Sequence, residues 1–406
     1  RLENMVPAGR GWKGRVSGAL EVGGRPGEPT LSWNAEAVPL AWGDYRLDGA
    51  AAHGRYRDGR LEVPEFRMTR GGVVSTVSGS MAVGLALGRR PELPEAPMDW
   101  RVDLPNGDLA LIPMFVPQIG SAAGRFALSA RLGGTARHPN LAGTARIRDG
   151  IVRMAGREEV LEGVSADLTL DETRITLDTM TARQRTRQGA PGLVSARGVV
   201  DLKGLTLKDY RFDLHLRDFT ALESGVYAAL FDGDFTVTDG PKVNGATLPL
   251  VVGNAELRRA VVLFDFANQS QVQQVAAATQ PLYWLYRIQL NATDDLRWQP
   301  SDADIEFSAD LRLEQTPDSL IIYGDMSALR GSYYYLSSKF RMDRVNLTFD
   351  NVGGVNPKLD ILAVTRVPKS ALTGGTGPSL SSSDERGSED ITVTITGRAN
   401  AKRVPL

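Results

Sequence analysis

Apolar and polar residues alternate along most of this chain. Tyr210, Phe212, Leu214 and Leu216 are separated by Arg211, Asp213 and His215. Ile305, Phe307, Ala309, Leu311 and Leu313 are separated by Glu306, Ser308, Asp310 and Arg312. The stretches 165–171, 345–350 and 391–396 keep the same rule. A period of two sends successive side chains to opposite faces of a strand, so each run predicts a strand with one apolar and one polar face. Turn signals punctuate the runs, among them Asp58-Gly59, Asp149-Gly150, Asp239-Gly240-Pro241 and Asn356-Pro357. The pattern predicts an all-β chain of roughly 20 to 25 strands, mostly antiparallel.

Departures from the period are few. Asn268–Thr279 is rich in Gln, Ala and Val, lacks Gly and Pro, and predicts one short helix. Asp108–Phe115 and Asp218–Leu230 lose the alternation, and each predicts a helical turn. Gly88–Pro97 and Gln184–Gly192 read as loops. Ser370–Asp390 is rich in Ser and Gly and poor in apolar residues, which predicts a disordered loop.

The chain also repeats itself. Trp100-Arg101-Val102-Asp103-Leu104, Tyr210-Arg211-Phe212-Asp213-Leu214 and Tyr286-Arg287-Ile288-Gln289-Leu290 share one pattern. A second pattern follows each of them after 43, 43 and 38 residues, beginning at Gly143, Gly253 and Gly324 and ending at Gly150, Ala260 and Gly331. Repetition at such offsets describes an array of similar strand units, not a globule built around one catalytic centre.

An array of this kind carries a large apolar face. Leaving it in water costs on the order of 5–10 kcal/mol per strand, at about 1.5–3 kcal/mol per large side chain. Helices are too few to cover it, so the sheet must fold over on itself, as a dry sandwich or as a groove with an apolar occupant. Twenty strands in one ribbon would span roughly 100 Å, which suits a long conduit.

Composition narrows the chemistry. The chain has 406 residues, a net charge of −1 and no cysteine. Near-neutrality gives no field for nucleic acid, and the missing thiols exclude disulfides and thiolate metal sites. Gly9-Arg10-Gly11-Trp12-Lys13-Gly14 has the letters of a dinucleotide loop, but a strand pattern continues from Arg15 where that loop requires a helix. His53, His138 and His215 are scattered, and Asp294, Asp295, Asp302 and Asp304 lack calcium-loop spacing and read as a solvated hairpin end. No enzyme, cofactor or metal site is expected. Arg1 is no natural start and no leader or membrane span appears, so a fragment of a longer protein is expected.

The C-terminal third resembles a known family. Ser301–Ala309, the Gly324–Tyr333 stretch with its Arg330-Gly331-Ser332-Tyr333, Phe340–Asp350, and Asn356-Pro357-Lys358-Leu359-Asp360-Ile361-Leu362-Ala363 stand in the order found near the end of the TamB family, the translocation and assembly module subunit. Ile391–Gly397 resembles that family's penultimate strand, and Gly133–Gly143 resembles its recurring unit. The resemblance implies an elongated, folded-over antiparallel sheet, a β-taco with an apolar interior groove, of the bridge-like lipid transfer type. It implies a periplasmic portion of a protein anchored in the inner membrane of a diderm bacterium through an N-terminal segment missing here. The implied partners are phospholipid acyl chains and, at the C-terminal end, an outer-membrane barrel of the TamA or BamA type.

On this reading the segments are 1–99, 100–209, 210–285 with the short helix, and 286–406 with the TamB-like end. The expected groove lining is Tyr210, Phe212, Leu214, Leu216, Tyr286, Ile288, Leu290, Ile305, Phe307, Leu311, Leu313, Val345, Leu347 and Phe349, with Tyr210, Phe212, Leu214, Ile305, Phe307 and Leu311 on one shared interior face. The expected function is passage of phospholipid between the two membranes; the alternative is templating of outer-membrane protein strands at a sheet edge. Limited proteolysis is expected to cut first within Ser370–Asp390, and deleting that stretch should leave the circular dichroism spectrum unchanged. Protection of the stretch to the same extent as the strands would contradict the reading.

Overall fold

The alternating runs fold into 21 strands in a computed structural model that describes residues 12–42, 45–86, 90–114, 116–185, 191–223, 225–243, 245–263, 282–335, 338–351, 356–368 and 388–399. No α-helix occurs among the described residues, and more than half of the chain lies in strands. The expected helix Asn268–Thr279 and residues 370–387 of the expected loop lie outside the described residues.

The chain divides into two compact units, Arg1–Arg185 with Val194–Asp213, and Thr186–Leu193 with Leu214–Leu406. The first contains β1 (Trp12–Arg25), β2 (Glu28–Trp42), β3 (Tyr45–Leu47), β4 (Gly49–Arg57), β5 (Arg60–Arg70), β6 (Val73–Ala82), β7 (Asp99–Asp108), β8 (Ile119–Gly134), β9 (Pro139–Met154), β10 (Val160–Glu172), β11 (Arg174–Gln184) and β12 (Leu193–Lys203). From β4 to β11 each strand pairs antiparallel with the next, and β2 pairs with β1, β3 and β4. The helical turn expected after Asp108 is a 3-10 turn, Leu109–Met114, started by the Ala110 N–H donating to Asp108 Oδ1 at 2.8 Å. Its Leu109 is almost fully buried.

β13 (Thr206–Glu223) runs through the division at Asp213 and Leu214. The second unit continues with β14 (Tyr227–Val243), β15 (Ala246–Val262), β16 (Leu285–Trp298), β17 (Ala303–Gln315), β18 (Leu320–Tyr335), β19 (Ser338–Asp350), β20 (Lys358–Pro368) and β21 (Ser388–Arg398). Its described pairings are antiparallel with one exception: β15 and β16 run parallel.

Two expectations need correction. Asp218–Leu230 forms strand, turn and strand rather than a helical turn. The alternation breaks there because Asp218 takes a left-handed conformation (φ 49°), which shifts the side-chain phase along β13. Ser388–Asp390, assigned by sequence to the loop, opens β21, where the three residues pair with Pro368, Val367 and Arg366. Arg366 Nε donates to Asp390 Oδ1 at 3.0 Å, a cross-strand pair that composition alone does not reveal.

The repeats correspond to strand triplets. The first motif opens β7, β13 and β16, and the second lies two strands later in β9, β15 and β18. Each second motif begins with glycine for one reason. A Cβ built at Gly143, Gly253 or Gly324 would lie 2.2, 2.1 or 2.1 Å from the carbonyl oxygen of Ser129, Asp234 or Asp310 on the middle strand of its own triplet. The backbones approach too closely for any side chain. Gly324→Ala is therefore expected to destabilise the fold by about 1–3 kcal/mol, as overpacking does, read as a lowered thermal midpoint. An unchanged midpoint would show that the contact relaxes.

Candidate functional site

The inner face of the second unit can be followed residue by residue through the strand registers. Leu257 pairs with Ala292, and Ala292 with Ala309, which pairs with Met326, itself opposite Leu347 and then Leu359. Beside this row run Leu290, Leu311, Gly324 and Phe349, and on its other side Ala260, Leu296, Phe307 and Ala328. Cross-strand partners share a face, so alternation on each strand becomes one apolar surface. Phe307 is 1% exposed and Ile305 2%. The residues that pack in this cluster all come from strands of the same unit.

Six of the fourteen expected lining residues are buried in this cluster: Ile305, Phe307, Leu311, Val345, Leu347 and Phe349. Leu290 and Leu313 pack against it half-buried, and Tyr286 and Ile288 follow on the same face of β16. Leu214 and Leu216 are half-buried in the second unit. Tyr210 and Phe212 belong to the first unit, where their rings lie 5.9 Å apart and Phe212 covers the Cα of Gly198. An aromatic ring laid over a neighbouring-strand glycine recurs at Trp33 on Gly54, Trp100 on Gly79 and Phe126 on Gly107.

Bulges cross the second unit along one line. The register shifts at Leu230/Phe231 against β15, at Leu257/Ala260 against β16, at Ala292/Leu296 against β17 and at Glu306/Phe307 against β18. The extra residue is Arg258 in one second motif and Leu329 in the next, the sixth position of each. A bulge bends its strand and adds twist, so aligned bulges form a crease that curls the apolar face inward.

A polar clamp holds this crease in both repeats. Asp232 of β14 accepts from the Asp218 N–H at 2.7 Å and from Arg258 Nε at 2.9 Å. Glu306 of β17 accepts from the Asp295 N–H at 3.4 Å and from Arg330 Nε at 2.7 Å. Asp218 and Asp295 are both left-handed (φ 49° and 56°), so each clamp ties a strained residue of one strand to an arginine two strands away. Burial pushes the Asp232 carboxyl up, but the Asp218 N–H and Arg258 outweigh it and hold it below its ordinary value. For Glu306 the Arg330 hydrogen bond dominates, against burial and with help from the Asp295 N–H, and its pKa is also lowered. Sequence reasoning placed Asp295 in a solvated hairpin end; it sits half-buried in the bulge instead. Aligning the repeats on their first motifs matches Asp218 with Asp294, one residue short of Asp295, so the clamp emerges only from the strand pairing.

The outer face of the second unit carries charge pairs, with Arg287 Nη2 2.8 Å from Glu314 and Arg344 Nε 3.1 Å from Asp360, and the first unit carries its own, with Arg131 Nε 2.7 Å from Asp99 and Arg174 Nε 2.7 Å from Asp201. Among the described residues no group of three or more His, Asp or Glu is arranged to hold a metal ion. No helix among them is long and apolar enough to cross a membrane. The inner face of the second unit thus offers an apolar surface.

The model of the TamB C-terminal domain matches residues 178–404, more than half of the chain. The chain belongs to the TamB family. No curated protein and no solved structure matches it. The TamB match takes in both clamps and the expected lining from Tyr210 to Phe349, whereas the resemblance read from Gly133–Gly143 lies outside it. TamB-family proteins are non-enzymatic envelope proteins of diderm bacteria that serve translocation and assembly or lipid transport, in association with a TamA-like outer-membrane partner.

The clamp has a pH signature. A carboxylate whose pKa is lowered by folding stabilises the native state above its unfolded pKa and loses that contribution as pH falls through the folded value. Starting from ordinary values of 4.5 for Glu306 and 3.8 for Asp232, the losses fall in the acid range below them. Glu306→Gln should lower stability at pH 7 and flatten its decline below pH 4.5 in denaturant titrations. A parallel decline in wild type and variant would exclude the clamp as its source.

Proposed function

We propose that the inner face lines a groove for phospholipid acyl chains and that this TamB-family chain carries lipid between the inner and outer membranes. The observation that carries the reading is the apolar register running across β15 to β20 while the charge pairs stay on the opposite face. An acyl chain needs contact without hydrogen-bond donors, and this face presents aliphatic and aromatic carbon from Leu257 to Phe349. The proposed lining is the fourteen residues from Tyr210 to Phe349, four on repeat segment 210–285 and ten on 286–406. The portion acts in the periplasm, tethered to the inner membrane through a preceding anchor and meeting an outer-membrane barrel at its C-terminal end.

A second reading draws on β21. Among the described residues it pairs only with β20, so its outer edge offers unpaired backbone groups to an incoming strand. The two readings separate by mutation. A guanidinium on the inner face meets acyl chains that cannot solvate it, an unpaired burial that costs several kcal/mol. Leu313→Arg, at a half-buried position, should abolish lipid co-purifying with the folded full-length protein, while Asp310→Arg on the outer face should not. Leu311→Arg tests the same point deeper in the core. Lipid retained by folded Leu313→Arg protein would sink the conduit. Outer-membrane assembly that survives the inner arginine but fails with Thr394→Pro would favour templating.

A further inference from the structure

The three repeats share a position that two of them fill with a carboxylate and the first does not. The glycines that open the second motifs, Gly143, Gly253 and Gly324, stand opposite Ala130, Phe235 and Leu311 on the middle strand of each triplet. Four residues before each of these partners is a phenylalanine, Phe126, Phe231 or Phe307, facing Ile147, Leu257 or Ala328. Next to that phenylalanine the middle strand carries Asp232 in the second repeat and Glu306 in the third. Each accepts from an arginine of the third strand, Arg258 or Arg330. In the first repeat the equivalent of Glu306 is Arg125, and the register sets it opposite Arg148 just as Glu306 stands opposite Arg330. The equivalent of Asp232 is Ala127.

Like charges directly opposite on one sheet face destabilise a strand pair. The carboxylates beside this pair are engaged elsewhere. Asp108, the register partner of Arg125 on its other side, accepts from the Ala110 N–H through Oδ1 at 2.8 Å and is bound by Arg70 through Oδ2. Asp167 accepts from Arg148 Nη2 at 2.7 Å and lies 3.6 Å from Arg146 Nε. Asp149, exposed at the bulge of β9, makes no ion pair among the described residues. Three arginines thus share two carboxylates, and Arg125 makes no hydrogen bond or ion pair among the described residues. Arg125 is exposed on the face opposite Phe126, and its neighbours along β8, Ala123 and Ala127, are short and exposed as well. A partner side chain can therefore come down to the level of the sheet beside the guanidinium.

We propose that Arg125 and Arg148 form a docking site on the outer face of the first unit for an acidic side chain of a partner protein, which supplies the carboxylate that Asp232 and Glu306 supply internally in the later repeats. Those equivalents select a carboxylate: the same strand register receives Asp and Glu against an arginine at 2.9 and 2.7 Å, and the guanidinium fork matches a planar carboxylate. The site lies on the outer face and stands whether or not the inner face carries lipid. Fluorescein-labelled hexaglutamate, titrated with the full chain at low ionic strength and followed by anisotropy, is the probe. Arg125→Ala should weaken its binding about fivefold, the scale of one exposed ion pair, and Arg197→Ala, an exposed arginine of β12, should leave it unchanged. Arg125→Glu recreates the pairing of the third repeat; it should abolish binding and raise the thermal midpoint by about 1–2 °C. Binding that survives both changes at Arg125, or that falls equally with Arg197→Ala, would overturn the site. Displacement of the peptide by inorganic phosphate at the same charge concentration would overturn its assignment to carboxylates.

Discussion

Everything in the second unit follows from an apolar sheet face that has no layer of helices among the described residues to cover it. A flat sheet would leave Phe307, Ile305 and Leu347 in water, at about 1.5–3 kcal/mol each. They are buried because the strands bend, and they bend where register slips at Arg258, at residues 293–295 and at Leu329. The bulges interrupt the hydrogen-bond ladder locally, and the burial of the inner face offsets that cost.

The polar groups divide into two classes with different work. The ladder pairs of the outer face are largely exposed; an isolated pair of that kind contributes about 0–1 kcal/mol, so the ladder sets solubility and strand register more than stability. The clamps at Asp232 and Glu306 are different because each carboxylate receives a backbone N–H from a left-handed residue as well as an arginine. Removing the carboxylate would leave a bulge N–H without its acceptor, which is the more damaging half of the loss.

The class of fold and most strands were legible from alternation alone, because a half-buried strand writes its two faces directly into the sequence. Ile305 to Leu313 is the clearest case, and its burial follows the written pattern except at Glu306, which the clamp buries. Alternation fails where the backbone changes phase. Asp218 looked like the start of a helical turn because a left-handed residue and a bulge also break the period. The clamp was invisible for another reason: Asp232, Asp218 and Arg258 are ordinary surface residue types, and only the pairing of three strands brings them together. The parallel pairing of β15 with β16 was likewise beyond reach, since strand direction leaves no trace in side-chain alternation.

That parallel step has a consequence of parity. A repeat of three strands is odd, so an antiparallel meander would present each successive triplet upside down. By running β16 alongside β15 in the same direction, the chain restores the orientation of the triplet that begins at Tyr286 relative to the triplet that ends with β15. Equivalent strand ends then fall on the same side, and the two clamps stand in one row. A repeat unit with an odd number of strands can in this way be added by simple translation, so that a row of like residues grows in length without alternating between the two edges.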